Sequence, residues 1–295
     1  MSASRYLSGR LAADAMLQSI TQEGRDGLTD LVEDPQQAVL ALDFDGTLAD
    51  IVDDPHKARL RPGADSALSR LARHVGHVVI VTGRPLRDLT GAQGLFPASL
   101  LKQLHLIGHY GAELRDPATA KQYIPAPPLA LQEVREVLPR LLTQYEADAG
   151  VRVEDKGAAL AVHTRRAAHP QAAFHQLWPV LLQLAGQYGL KAEPGRLVIE
   201  LLAAGQDKGG ALTGFLTQRQ ARTVLYAGDD LADIPAFDAV ARHRSAGGSG
   251  TLLYSAPASA DEAIPDLARR ADLTVDGPRC ITRLLLQLAD ALDSG

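Results

Sequence analysis

The sequence predicts an α/β protein: a mainly parallel sheet covered by helices, with a smaller α+β domain inserted into it. Three observations carry that expectation. Short apolar runs alternate with amphipathic stretches, as βα units on a buried sheet require. Four of the five runs end directly in polar or glycine-containing turns: Asp43-Phe44-Asp45-Gly46, Thr82-Gly83-Arg84, Gly108-His109-Tyr110-Gly111 and Gly228-Asp229-Asp230. The middle of the chain leaves this rhythm and reads α-β-β-α-β-β with short links.

In chain order, residues 1–34 have weak periodicity and read as an N-terminal extension of one helix and a loose polar linker. Ala38 to Leu42, His77 to Val81 and Leu104 to Ile107 are expected strands, and Pro62 to His74 carries Ala67, Leu68, Leu71 and Ala72 at helical spacing. After the proline-rich Tyr123 to Pro128 comes a helical stretch to about Asp148, then strands Val151 to Glu154 and Ala158 to His163. A second helix, Gln171 to Tyr188, precedes strands Leu190 to Glu193 and Leu197 to Leu201. Pro139 and Pro179 inside these helices predict a kink or break in each. Thr223 to Ala227 and Leu273 to Val275 complete the strands, Cys280 to Leu292 the helices, and Gly247-Gly248-Ser249-Gly250 reads as a flexible loop. The core is therefore expected over 35–124 and 204–295, with the insertion over 125–203.

Composition narrows the function. With 46% apolar and 22% charged residues in 295, the chain has the balance of a soluble globular protein, not a disordered one. A formal charge of -5 offers no general attraction to nucleic acid or to an anionic membrane, so a small-molecule ligand is expected. Cys280 is the only cysteine, which excludes an intrachain disulfide and suits a reducing cytoplasm. No apolar stretch is long enough to span a bilayer, and Arg5, Arg10 and Asp14 interrupt what would be a signal-peptide core.

The strand-end turns carry the chemistry. Asp43 and Asp45, two residues apart at the end of an extended run, point the same way, and their repulsion calls for a cation or a shared proton. Alone, the pair also fits an exposed Asp-Gly turn. Asp229, Asp230 and Asp233 form a second acidic group after another apolar run; helix capping would explain Asp230 and Asp233, while two strand-end carboxylate clusters together suit magnesium. Thr82, Gly83 and Arg84 offer a hydroxyl and backbone N–H groups at a strand-to-helix turn, a natural anion cradle. Lys208 stands at a helix start, where the dipole disfavours a cation unless it faces an anion.

The order DxDGT, TGR, Lys, GDDxxD resembles the haloacid dehalogenase superfamily of phosphatases. That resemblance implies a Rossmann-like core with an inserted α+β cap, or lid, and assigns roles: Asp43 as nucleophile, Asp45 as acid/base, Thr82 and Lys208 on phosphate, and Mg2+ on Asp43, the backbone carbonyl of Asp45 and Asp229, with Asp230 or Asp233 in support. The segments "DFDGTLADIVDDPHKARLRPG", "VIVTGRP", "VEDKGAALAVHTR", "GRLVIEL", "DKGGAL" and "GDD" further resemble the trehalose-6-phosphate phosphatases over most of residues 39 to 235. This implies hydrolysis of trehalose 6-phosphate in trehalose biosynthesis, with Glu154, Lys156 and Glu200 of the lid binding sugar hydroxyls. Without the resemblance those three read as an exposed charged strand edge. Another sugar phosphate, such as sucrose phosphate or a glycosyl phosphoglycerate, and a non-catalytic sugar-phosphate-binding regulator are the alternatives. The chain departs from the family pattern at Ala232, Ile234, His109-Tyr110 and Leu202-Ala203-Ala204. These changes bear on the sugar contacts and on the surroundings of the metal, not on the nucleophile.

Overall fold

The computed structural model describes residues 19–52, 54–91, 94–147 and 149–294; residues 1–18 of the N-terminal extension and Asp148 lie outside them. The chain divides into two compact units, Met1–Tyr123 with Asp207–Gly295, and Ile124–Gln206.

The first unit opens with α1 (Gln22–Glu33), β1 (Ala38–Leu42), α2 (Ala64–Leu71), β2 (His77–Val81), α3 (Leu86–Thr90), α4 (Ala98–Leu101), β3 (Leu104–Gly108), β4 (Glu113–Arg115) and β5 (Gln122–Tyr123). The second unit comprises α5 (Leu129–Gln144), β6 (Arg152–Asp155), β7 (Ala159–His163), α6 (Pro170–Gln187), β8 (Leu190–Gly195) and β9 (Val198–Ala203). The first then resumes with α7 (Lys208–Arg219), β10 (Thr223–Gly228), α8 (Ile234–Ser245), β11 (Ser249–Ala256), α9 (Pro265–Arg270), β12 (Leu273–Asp276) and α10 (Gly277–Asp293).

The large sheet has the order β12-β11-β10-β1-β2-β3-β4-β5, parallel from β12 to β3 and antiparallel at β4 and β5. Every residue of β1 is buried, because helices cover both faces of a parallel sheet and each side chain of the strand needs an apolar neighbour. Ala38, Leu40 and Leu42 join a core with Leu28, Leu68 and Leu288 from α1, α2 and α10. Val39 and Ala41 face the other way, toward Leu212 and Phe215 of α7 and Phe237 of α8. The second unit is an antiparallel sheet in the order β6-β7-β9-β8, whose Leu160, Val162, Ile199 and Leu201 pack with Leu131 and Val134 of α5 and Leu177 and Leu181 of α6.

Several expectations change. Ser249 and Gly250 belong to no flexible loop: they begin β11, which pairs in parallel with β10 and supplies buried Leu252, Leu253 and Tyr254. The glycine and serine residues masked a strand that burial between β10 and β12 decides. Pro139 and Pro179 split neither helix; α5 and α6 run through both. Tertiary packing of Leu138 and of Leu177 and Leu181 outweighs the local cost of a missing hydrogen bond. The helix expected in the N-terminal extension is α1, capped by Thr21, which accepts from the Gly24 N–H at 3.1 Å. Its Leu28, Leu31 and Val32 are core residues, and Thr251 of β11 donates to the Gly24 carbonyl at 2.9 Å.

At the sheet edge away from the strand-end turns, the rings of His77 on β2 and His105 on β3 lie 3.1 Å apart between ring nitrogens, and Phe215 packs on both. Burial, helped by the nearby Arg219 and His77 charges, pulls His105 from 6.5 down to about 4. A depressed histidine contributes stability that is present above about pH 6.5 and lost as pH falls toward about 4. The melting temperature should therefore fall over that interval, and His105→Gln should flatten part of the fall; identical pH profiles in calorimetric scans would refute this assignment.

Candidate active site

The register of the central strands assembles the site. Leu42 pairs with Ala227 on one side and with Ile80 on the other, so the chain leaves β10, β1 and β2 at one edge, with Asp229, Asp43 and Thr82 next in line. Backbone pairing continues one step further: the Asp43 N–H donates to Ala227 at 2.9 Å, and the Thr82 N–H to Ile107 at 2.9 Å. Binding sites at the carboxyl ends of parallel strands follow from this geometry.

At the centre is a buried ammonium. Lys208, the first residue of α7, donates from Nζ to Asp43 Oδ1 at 2.7 Å and to Asp233 Oδ1 at 2.8 Å. All three residues are at most 3% exposed. The cation at an unfavourable helix start thus faces two carboxylates. Asp233 is fully used as an acceptor: Oδ1 also receives the Tyr226 hydroxyl at 2.6 Å, and Oδ2 receives the N–H groups of Asp229 and Asp230 at 2.9 and 3.1 Å. Burial pushes Asp43 well above the usual carboxylate range against the pull of Lys208, with Asp233 and Asp230 adding to the rise. Burial would lower Lys208, but Asp233 and Asp43 outweigh it and hold the ammonium protonated.

Around this centre the turns fit closely. Gly46 has φ 77°, and a Cβ there would lie 2.1 Å from Asp229 Oδ2, so only glycine lets the Asp45-Gly46 backbone approach that carboxylate. Asp45 itself turns to Arg84, whose Nε and Nη2 donate to its two oxygens at 2.6 and 2.7 Å. Thr82 is buried and its Oγ1 accepts from the Arg84 N–H at 3.2 Å. A Cβ on Gly83 would meet the Tyr110 phenol at 2.5 Å. Tyr110 and His109 both adopt positive φ, and their N–H groups donate to Thr82 and Arg84 carbonyls, so the third strand-end turn braces the second. Glu113 completes the brace, accepting from His109 Nδ1 at 2.9 Å and from the Leu86 N–H at 2.5 Å. Those bonds hold its carboxyl below the ordinary range despite burial, which works the other way.

The structure thus gathers Asp43, Asp45, Thr82, Gly83, Arg84, Lys208, Asp229 and Asp233 at one sheet edge. Asp230 instead caps the following helical turn, accepting from the Ala232 N–H at 3.0 Å in a capping box with Asp233. The Ala232 and Ile234 departures leave this box intact. In the second unit, Glu154, Ala161, Glu200 and Glu193 share one cross-strand row. Lys156 donates to Glu200 Oε1 at 2.5 Å, and Glu154 Oε2 lies 2.9 Å from His163 Nε2. Glu200 is 3% exposed, yet its Oε2 has no hydrogen-bond partner among the described residues, an oxygen suited to accept from a ligand. Sequence reading missed Glu193, also buried, and Tyr226; alternation along β8 could have flagged the first, whereas Tyr226 reads as an ordinary apolar-run residue.

Oxygens of Asp43, Asp229 and Asp233 lie within 4.8 Å of one another and all three residues are buried. An all-carboxylate set suits a hard divalent cation, and positive charge there would offset the burial and, less strongly, the neighbouring carboxylates that raise Asp43.

The fold defines the class first. The structure matches a haloacid dehalogenase-like hydrolase from Bacteroides thetaiotaomicron with TM-score 0.57 at 14% identity, over 85% of this chain and 99% of that one. It matches the C-terminal domain of Candida albicans trehalose-6-phosphate phosphatase with TM-score 0.72 at 21% identity, over 92% and 98% of the two chains. The architecture is that of the haloacid dehalogenase-like core with an inserted cap. Residues 41–265 match the family model described as trehalose-phosphatase, and the chain belongs to that family. A Sinorhizobium fredii protein named "Probable trehalose-phosphate phosphatase" is 32% identical over 245 residues, 82% of this chain and 86% of that protein. Other relatives are longer, and the chain spans 54% of one such protein from Mycobacterium bovis.

Removing the central ammonium tests the charge cluster. Lys208→Met leaves Asp43 and Asp233 buried without their shared cation, which should destabilise the fold by about 3–5 kcal/mol near neutral pH. Because protonation removes the unpaired charge, the deficit should shrink on acidification to about pH 5. Urea denaturation at both pH values reads it, and a variant as stable as the parent would refute the buried triad.

Proposed function

We propose that the chain is a magnesium-dependent phosphatase that hydrolyses trehalose 6-phosphate to trehalose and phosphate through an aspartyl-phosphate. The observation that carries the reading is Asp43, buried at the strand edge with Lys208 at 2.7 Å and with Thr82 and Asp45 on the adjoining turns; family membership supplies the substrate.

In this mechanism Asp43 attacks phosphorus and the bond to the sugar oxygen breaks, while Asp45 gives that oxygen a proton. Asp45 then takes a proton from water as the water cleaves the aspartyl-phosphate, returning Asp43 to its carboxylate and releasing phosphate. Lys208 and the Thr82 turn hold the transferred group and stabilise its charge. Asp43 and Asp229 would hold the cation, since Asp233 already accepts four hydrogen bonds and serves to place Lys208. Magnesium, when bound, supplies positive charge against the carboxylates and the phosphoryl oxygens. Glu154, Lys156 and Glu200 are the sugar-binding groups of the cap, and Glu200 Oε2 is the acceptor that awaits a sugar hydroxyl. The single cysteine fits a cytoplasmic setting, and no helix among the described residues is long and apolar enough to cross a membrane.

Phosphate release from a panel of sugar phosphates, with and without magnesium, tests this reading. Trehalose 6-phosphate should be the best substrate, magnesium should be required, and Asp43→Asn should abolish release while the chain remains folded by circular dichroism. Full activity of that variant would sink the mechanism, and preference for another sugar phosphate would reassign the substrate. Glu200→Ala should raise KM for trehalose 6-phosphate at least about tenfold with little change toward p-nitrophenyl phosphate; equal effects on both would remove Glu200 from the sugar site.

A further inference from the structure

The sheet edge away from the strand-end turns carries a cluster that the phosphatase chemistry does not use. His77 opens β2, and register sets His105 of β3 opposite Val79, so alternation puts both imidazoles on the face that Val79 and Phe215 share. His77 Nδ1 and His105 Nε2 face each other at 3.1 Å. The Phe215 ring packs edge-on against both, with centroids 5.8 and 5.1 Å away, and His105 and Phe215 are each at most 9% exposed. Rings held by an aromatic neighbour are already ordered, so a ligand that takes both nitrogens has little ordering left to do.

As they stand, one ring donates its N–H to the lone pair of the other. The same separation fits a metal ion. With zinc–imidazole bonds of about 2.0–2.1 Å, nitrogens this far apart subtend roughly 95–102° at the ion. That angle lies between the octahedral and tetrahedral values, so a turn of the rings suffices and neither strand has to move. Ligating imidazoles must be neutral. Burial pulls His105 down to about 4 and lowers His77 as well, with Arg219 adding to each.

Two further groups face the pair. Asp116 Oδ2 lies 3.9 Å from His105 Nδ1, the ring's other nitrogen, which is where a carboxylate orients a ligating histidine. Arg219 repels a cation, but Asp116 lies 3.6 Å from its Nη2 and offsets that charge.

We propose that His77 Nδ1 and His105 Nε2 form a second metal site, distinct from the carboxylate set, which takes a transition-metal ion of the zinc class with water filling its remaining positions. Imidazole nitrogens suit such ions, whereas the carboxylate set suits a hard one. On coordination His77 carries its single proton on Nε2 and His105 carries its own on Nδ1, toward Asp116; no proton is lost from either ring. The ion ties β2 to β3 at the ends opposite those that lead into Thr82 and His109. The site stands independently of the function proposed above.

Zinc is the probe, titrated into the intact chain with magnesium in large excess to occupy the carboxylate set. Calorimetry should count one more zinc ion on the parent than on His77→Gln, a half-buried position that can be changed without threatening the fold. His74→Gln, which alters a histidine paired with Asp293 instead, should keep the parent's count. In the parent, one equivalent of zinc should shift the imidazole nitrogen resonances of both His77 and His105. Equal counts on the parent and His77→Gln overturn the site, and so does a titration that shifts fewer than both imidazoles. Neither readout needs turnover, so a chain that hydrolyses no phosphate ester overturns the functional reading and leaves the zinc result to decide the site.

Discussion

The constraint on which the rest depends is the buried ammonium of Lys208 between Asp43 and Asp233. A charge removed from water must be matched closely or it unfolds what buries it. Here the matching is shared by elements far apart in sequence: the end of β1, the start of α7 and the turn after β10 meet at 2.7 and 2.8 Å. Tyr226 and two backbone N–H groups saturate Asp233, so the carboxylate that positions Lys208 cannot drift. Asp43, its cation and the fold around them are thereby one cooperative unit.

The strand-end turns are fitted to this centre by close contact more than by flexibility. Gly46 admits the Asp229 carboxylate against the backbone, and Gly83 admits the Tyr110 phenol against the anion cradle. His109 and Tyr110 stand where the family pattern differs, and they pay for two left-handed residues by bonding the carbonyls of Arg84 and Thr82. Strain of this kind persists only where surrounding structure over-determines it. The departure has become part of the support of the turn that carries Thr82, Gly83 and Arg84.

In the second unit the same logic operates across a sheet. Small Ala161 separates Glu154 from Glu200 in one cross-strand row, and Lys156 reaches Glu200, leaving one buried oxygen unmatched. The exposed charged edge that local reading suggests is therefore wrong for Glu200, which is buried. A carboxylate oxygen of this kind is costly in a finished core and useful in a site that a ligand completes.

By itself the sequence determined the alternation of strands and helices, the inserted α-β-β-α-β-β order and the placing of Asp43, Thr82 and Asp229 at strand ends and of Lys208 at a helix start, because hydrophobic periodicity and strand-end turns are local properties. It did not disclose β11, whose Gly-Gly-Ser-Gly start hides a strand that only burial between β10 and β12 secures. Nor could it reveal that Pro139 and Pro179 sit in continuous helices, since packing against the sheet outweighs a local penalty. Only the tertiary structure decided how the acidic residues divide their work: Asp43 and Asp233 on Lys208, Asp45 on Arg84, Asp230 on a helix cap. A carboxylate has the same chemistry in any sequence, and which positive charge or N–H it meets depends on register and packing between segments up to 165 residues apart, as for Asp43 and Lys208.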